Sequence, residues 1–140
     1  MGGDKKNSAP TNFTLDTLFS LDSPEESSDF NPLALPNRHL LFHATRITDF
    51  ADILKNSLRL PEGSILAGGG QIFGKGIYFS DFASKATKWC HHNLSNNTGL
   101  LLICDVALGK SKEFMRADSK AALGLGGEFQ SIIGRGKFFF

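Results

Sequence analysis

The stretch from Gly68 to Asp81, GGGQIFGKGIYFSD, has the residues of a phosphate-holding loop. Gly69, Gly74 and Lys75 match the opening of the pattern G-x-x-x-x-G-K-[ST], whose backbone N–H groups cradle phosphates and whose final hydroxyl reaches magnesium. Gly76 stands where that hydroxyl belongs. The flanks also differ from such a site. A phosphate loop leaves a buried strand and opens into a helix, whereas LPEGSILAGGGQ before it reads as loop and GIYFS after it as a short strand. On its own the run reads as a surface loop whose glycines take positive φ and which ends in a tight turn.

Other side chains offer chemistry less directly. His39 and His43, four apart on a strand, share a face but stand about 13 Å apart, too far to share a metal. His91 and His92 diverge on a helix. With Cys90 they make a weak metal-site pattern, and a solvated helix end is the simpler reading. Cys90 as a nucleophile would need an activating base, so helix packing is its default role. Trp89 reads as a core residue and Tyr78 as a residue of a half-buried strand. No G-x-G-x-x-G occurs, which leaves a Rossmann dinucleotide site unsupported.

These residues must be held by one domain at most, since the chain has 140 residues. Composition is globular, and a net charge of +1 gives no case for a nucleic-acid surface. Residues 1–36 hold six acids against two lysines, so the remainder is mildly basic. Cys90 and Cys104 form no C-x-x-C and no disulfide framework, which favours a reducing, intracellular setting. The opening MGGDKKNSAP is not a signal peptide, and Lys6 breaks the myristoylation pattern. No stretch is long and apolar enough to span a membrane.

Along the chain, residues 1–11 read as a flexible tail and NFTLDTLFSLD (12–22) as a strand. SPEESSDFNP is a loop, and RHLLFHAT (38–45) is a compact strand. In TDFADILKNSLRL, Phe50, Ile53, Leu54 and Leu58 fall at helical spacing, with Thr48 as N-cap. Residues 61–75 are loop and Ile77 to Phe79 a short strand. SDFASKATKWCHHNL should be a helix of three to four turns, capped by Ser80 or Asp81, with Phe82, Ala86, Trp89, Cys90 and Asn93 on one stripe. LLLICDVALG (100–109) reads as a strand buried on both faces. KEFM and SIIG are further short strands, and the closing GKFFF reads as an interrupted one.

The order of the pieces adds information. NRHLLFHATR, ILKNSLRL, FGKGIYFSDFASKATKWC and LLLICDVALGK follow one another, and in that order the chain resembles the catalytic domain of the poly(ADP-ribose) polymerases. The likeness covers residues 37–110 well and 12–36 and 111–137 loosely, so 12–140 is expected to be a partial catalytic domain of this family. It implies a mixed α/β, partial ADP-ribosyltransferase fold, with antiparallel-rich twisted sheets around an NAD cleft. It implies transfer of ADP-ribose from NAD to a protein acceptor with release of nicotinamide. NAD is the substrate, and no metal is implied. Neither direct nucleic-acid binding nor a membrane is implied for this chain, and the nucleus is favoured over the cytoplasm.

The resemblance also assigns roles. Residues 61–75 become the loop over the donor site. His43 and Tyr78 match the histidine and tyrosine of the family's His-Tyr-Glu triad: His43 hydrogen-bonds a ribose hydroxyl, and Tyr78 stacks on the nicotinamide. Ala44 takes the place of a glycine whose backbone reads the carboxamide, and Thr45 that of a serine near the ribose. Arg59 contacts the adenosine side, and Trp89 forms the second aromatic wall. Ala86 stands where the family has a serine donating to the nicotinamide carbonyl. Asp49 replaces an asparagine near the adenosine ribose. The triad glutamate is expected beyond Phe140, since Glu128 is not at its position, so the 140 residues alone are expected to be weak or inactive in transfer. The alternative is a non-catalytic remnant or fragment that binds NAD or ADP-ribose. His43, Tyr78 and Trp89 are expected to line one cleft.

Overall fold

The computed structural model describes residues 12–22, 31, 33–60 and 71–135. The tail 1–11, most of the loop 23–32, residues 61–70 of the glycine-rich loop and the closing GKFFF lie outside them. The described chain mixes short helices with four strands: β1 (Arg38–His43), α1 (Phe50–Asn56), α2 (Ala83–Ala86), β2 (Leu102–Ala107), β3 (Ser111–Phe114) and β4 (Ser131–Gly134). β1 neighbours β2 in one two-stranded sheet, and β3 neighbours β4 in another. Mixed α/β architecture is thus present. Contacts divide the described residues into two units, one with 40–57 and 79–104, the other with 33–39, 58–60, 71–78 and 105–135.

In the first unit, Phe42 and Ser80 form an isolated antiparallel bridge. Their backbones exchange both N–H···O bonds, at 2.8 and 2.9 Å. Ile77 to Phe79, expected as a strand, contribute no further ladder bonds, and only Ser80 pairs. Phe50, Ala86 and Cys90 are the buried apolar side chains described here. α1 carries Asp52 in its first turn and Lys55 in its last, each favourable to the helix dipole. Thr48 does not cap it. A 3-10 turn over Ile47–Asp49 leads in, Asp49 holds the cap position in helical φ/ψ, and the Thr48 hydroxyl donates sideways to Asp49 at 3.4 Å. A residue already turned helically cannot present its side chain to the N–H groups ahead of it.

The expected long helix after Ser80 is broken. α2 has four residues, 3-10 turns cover Thr87–Trp89 and His92–Leu94, and between them His91 turns left-handed at φ 48°. The sequence supplies poor helix formers from Thr87 onward, including Thr, Trp, two His and Asn. The Ser95 hydroxyl also bonds back to the His92 carbonyl at 3.3 Å, one of the local bonds that compete with helical ones. At the start, neither Ser80 nor Asp81 caps the helix as expected: Phe82 holds the cap position, and the Ser80 Oγ accepts the Phe82 N–H at 3.1 Å in a turn just before it. The stripe is only half dry, with Ala86 and Cys90 buried but Phe82 and Trp89 58% and 50% exposed.

In the second unit, β3 and β4 run parallel with Ser111 opposite Ser131 and Phe114 opposite Gly134. Parallel strands cannot be joined by a tight hairpin. Residues 115–130 provide the crossover and include a 3-10 turn at Ala121–Gly124. The Ser111 and Ser131 hydroxyls meet at 2.6 Å, and the strands' flanks are tied by Gln130 N–H to Lys110 O (3.0 Å) and Arg135 N–H to Phe114 O (2.8 Å). KEFM and SIIG thus supply strands as expected. Asn37, at φ 64°, donates its amide to Gly109 O at 3.1 Å, beside the Leu108 N–H to Asn37 O bond of 3.0 Å.

Two further strand expectations fail. Residues 12–22 form no strand, and Phe13, Leu15, Leu18, Phe19 and Leu21 are exposed. Their period-2 pattern also breaks at Leu18–Phe19, so the alternation is too short to define one face. β2 is not buried on both faces: exposed and half-buried residues alternate along its first half, and Ile103 is exposed. Among the described residues its one sheet neighbour is β1, and a two-stranded ribbon cannot enclose both faces of a strand.

Candidate functional site

The first unit carries His43, Ala44, Thr45, Ala86 and Trp89. His43 is the last residue of β1, half-buried, one position beyond the Phe42–Ser80 bridge. Its ring meets Phe79, with centroids 5.6 Å apart and planes inclined by 58°. The bridge fixes the register that brings this histidine to the residue following Tyr78 in the chain. Ala44 and Thr45 leave the strand half-buried. The Thr45 hydroxyl donates to the Asp49 carboxylate at 2.6 Å, and with Thr48 it gives that carboxylate a hydroxyl on each oxygen. Much of the hydrogen-bonding capacity of Asp49 is therefore taken locally.

Ala86 is 3% exposed, so no hydroxyl exists at this dry position. Three residues on, Trp89 is half open to solvent. Cys90 is buried, its thiol donating to Leu100 O at 3.3 Å, and burial pushes the thiol above its ordinary pKa. A raised thiol is a poor nucleophile at neutral pH, so packing is the role that fits. Gly99 completes that fit: a Cβ there would stand 3.1 Å from the Cys90 sulfur.

The second unit carries Arg59, which is exposed, and Tyr78. The Tyr78 hydroxyl is used twice. It accepts the Phe73 N–H at 3.1 Å and donates to Gly74 O at 2.7 Å. Gly74 has φ 91° and is buried, and a Cβ on it would lie 2.8 Å from Ser119 O and 3.0 Å from the Ala122 Cβ. Only glycine fits both the turn and the space. Glu128 is exposed and pairs with Lys110. Among the described residues, no three His, Cys, Asp or Glu gather as a metal site, and no helix is long and apolar enough to cross a membrane.

The sequence profile of the poly(ADP-ribose) polymerase catalytic domain matches residues 3–139. The chain belongs to the poly(ADP-ribose) polymerase family. It is 41% identical over 119 residues to poly(ADP-ribose) polymerase 2 of Homo sapiens, covering 81% of the chain and 20% of that protein. To poly(ADP-ribose) polymerase 1 of Danio rerio it is 37% identical over 128 residues, 88% of the chain and 12% of the relative. To poly(ADP-ribose) polymerase 2 of Arabidopsis thaliana it is 44% identical over 87 residues, 61% and 13% of the two. The chain thus spans 12% to 20% of the length of these relatives. Within the poly(ADP-ribose) polymerase frame, the structure adds residues that sequence reasoning passed over. Phe73, Ser119 and Ala122 surround the turn that the Tyr78 hydroxyl closes. The five-residue spacing of Phe73 and Tyr78 is visible in the sequence, but no pattern announces that a phenol will span it.

Proposed function

We propose that this chain supplies the NAD-binding part of an enzyme that transfers ADP-ribose from NAD to protein and releases nicotinamide. The observation that carries the reading is the register at Phe42–Ser80, which sets His43 against Phe79 in the segment that follows Tyr78. The family membership supports it. In this reading the imidazole of His43 hydrogen-bonds a ribose hydroxyl, and the Ala44 backbone reads the carboxamide. Tyr78 and Trp89 hold the nicotinamide ring, each stacked contact adding about 0.5–1.5 kcal/mol beyond area burial. Thr45 stands near the ribose and Arg59 toward the adenosine. Orienting the leaving group in this way favours cleavage of the nicotinamide–ribose bond, which develops oxocarbenium character. The triad glutamate would supply the electrostatic support for that charge. NAD is a substrate, a protein side chain is the acceptor, and the nuclear, intracellular setting rests on the resemblance alone.

The second reading is a non-catalytic remnant that binds NAD or ADP-ribose, and Ala86 and Asp49 weaken the hold on the donor in either reading. Without the serine hydroxyl the nicotinamide carbonyl loses a hydrogen bond worth about 1 kcal/mol, and Asp49 sets a negative charge near a dianionic ligand.

Trp89 is the single tryptophan of the chain and is half exposed, so its fluorescence reports ligand stacking directly. Titration with nicotinamide and with NAD should quench it saturably, and His43→Ala should weaken NAD more than nicotinamide. Absence of saturable quenching by either ligand refutes both readings. Incorporation of labelled ADP-ribose into protein by the chain in its native context separates transfer from binding alone.

A further inference from the structure

Tyr78 ends a chain of contacts that begins in the β3–β4 sheet. The ring of Phe73 faces that of Phe114 at 6.0 Å and lies over Gly134, where a Cβ would come within 2.6 Å of the Phe73 ring. The peptide of Phe73 is held on both sides. Its carbonyl accepts the Ala122 N–H at 3.0 Å, and its own N–H reaches the Tyr78 hydroxyl at 3.1 Å. That hydroxyl, by donating to Gly74 O at 2.7 Å, closes the turn onto itself. A tyrosine tip with one donor and one acceptor engaged has little freedom to swing about its χ angles.

We infer that Phe73 and Gly134 are positioning residues for the Tyr78 ring: the absent side chain at 134 seats Phe73, and the Phe73 peptide fixes the phenol. This rests on the proposed role of Tyr78 only for its effect on ligand. The positioning itself is a property of the ligand-free protein. Gly134 is exposed and Phe73 half-buried, but a methyl 2.6 Å from the ring cannot be accommodated without moving one of them. Added bulk at 134 pushes the Phe73 ring, and with it the turn, away from where the hydroxyl can bond.

The test uses the 140-residue chain labelled with ring-13C tyrosine, Tyr78 being its single tyrosine. Wild type should show a slowly flipping ring with distinct edge signals and a Phe73 amide protected from exchange. Gly134→Ala should shift the Tyr78 signals and speed exchange at Phe73. Gly134→Ala with Phe73→Leu, which shortens the side chain the methyl meets, should bring the Tyr78 signals back toward wild type. Tyr78→Phe keeps the ring and removes the hydroxyl, so it should deprotect the Phe73 amide and weaken nicotinamide about fivefold, the worth of one net hydrogen bond. Unchanged Tyr78 signals in Gly134→Ala, or unchanged Phe73 exchange in Tyr78→Phe, overturns the inference. If these signals move as stated but Tyr78→Ala leaves nicotinamide affinity intact, the positioning stands and the proposed ligand role of Tyr78 falls.

Discussion

Replacing Gly74 by alanine should separate two costs that are usually confounded. Gly74 sits at φ 91°, and its added Cβ would lie 2.8 Å from the backbone oxygen of Ser119 and 3.0 Å from the Ala122 Cβ. Holding an L-residue at positive φ costs about 1–2 kcal/mol. Forcing a methyl into filled space costs about 1–3 kcal/mol more, and here the obstacle is backbone, which cannot rotate aside. Restricting the unfolded chain returns about 0.4–1 kcal/mol. The net expectation is a loss of about 2–4 kcal/mol, a large part of a typical domain's about 5–15 kcal/mol. Gly126 is the internal control, since it has φ 61° but nothing within 4 Å of where a Cβ would stand. Gly126→Ala carries the backbone and entropy terms without the overlap, and should cost about 1 kcal/mol or less. Urea unfolding of the two variants, with equal m-values, should differ by about 1–3 kcal/mol. Losses equal within about 0.5 kcal/mol would show that the Ser119–Ala122 segment yields freely and would refute the argument.

If Asp49 lies near the NAD phosphates as proposed, Asp49→Asn should strengthen NAD binding more at low salt than at high; an equal effect at both salt levels would place Asp49 away from the phosphates. Burial raises the Cys90 thiol, so Cys90 should react with thiol reagents far more slowly in the folded chain than in urea. Since its folded pKa is the higher one, its contribution to stability is complete below the unfolded thiol's pKa and falls as pH rises through the folded value, a decline that Cys90→Ala should flatten in thermal melts. The hydrogen bond from Arg135, then its charge, holds the Glu113 carboxyl below its ordinary pKa. Its stabilisation is present above the unfolded value and is lost as pH falls through the folded one, and Arg135→Gln should move the Glu113 carboxyl NMR titration upward. Arg38 makes a paired contact with Asp105, both 42% exposed, so Asp105→Asn should cost no more than about 1 kcal/mol in urea unfolding.

Where the sequence is readable, the signal is local and repeated. RHLLFH, KEFM and SIIG form strands at or near the expected bounds, and the apolar spacing from Phe50 marks α1, although of that stripe only Phe50 is buried and Leu54 is exposed. The family resemblance comes from several short motifs in a fixed order, which single-residue chemistry cannot mimic. The helix expected after Ser80 is too long because hydrophobic spacing says nothing of His91 turning left-handed. The burial expected of β2 is too deep because an unbroken apolar run does not reveal how many neighbours will cover it. Of the proposed site, the residues are assigned through the motifs, whereas the contacts around them carry no sequence signal. The Tyr78 phenol on Phe73 and Gly74, and the glycine at 134 under Phe73, join positions that carry no shared pattern.

The pairing of β1 with β2 has a consequence for the order in which the chain is made. Arg38 meets Asp105 across 67 residues and Asn37 meets Gly109 across 72, while the Ser111–Ser131 contact spans only 20. At roughly 5–20 residues per second of synthesis, β1 waits roughly 3–13 s beyond its own appearance before its partner strand exists. Apart from Phe42, which Ser80 can bridge once it is made, its RHLLFH segment lacks its partner strand throughout that interval. β3 and β4, by contrast, are complete within a few seconds of each other. Among the described strands, the one that ends in His43 therefore waits longest for its partner as the chain is made.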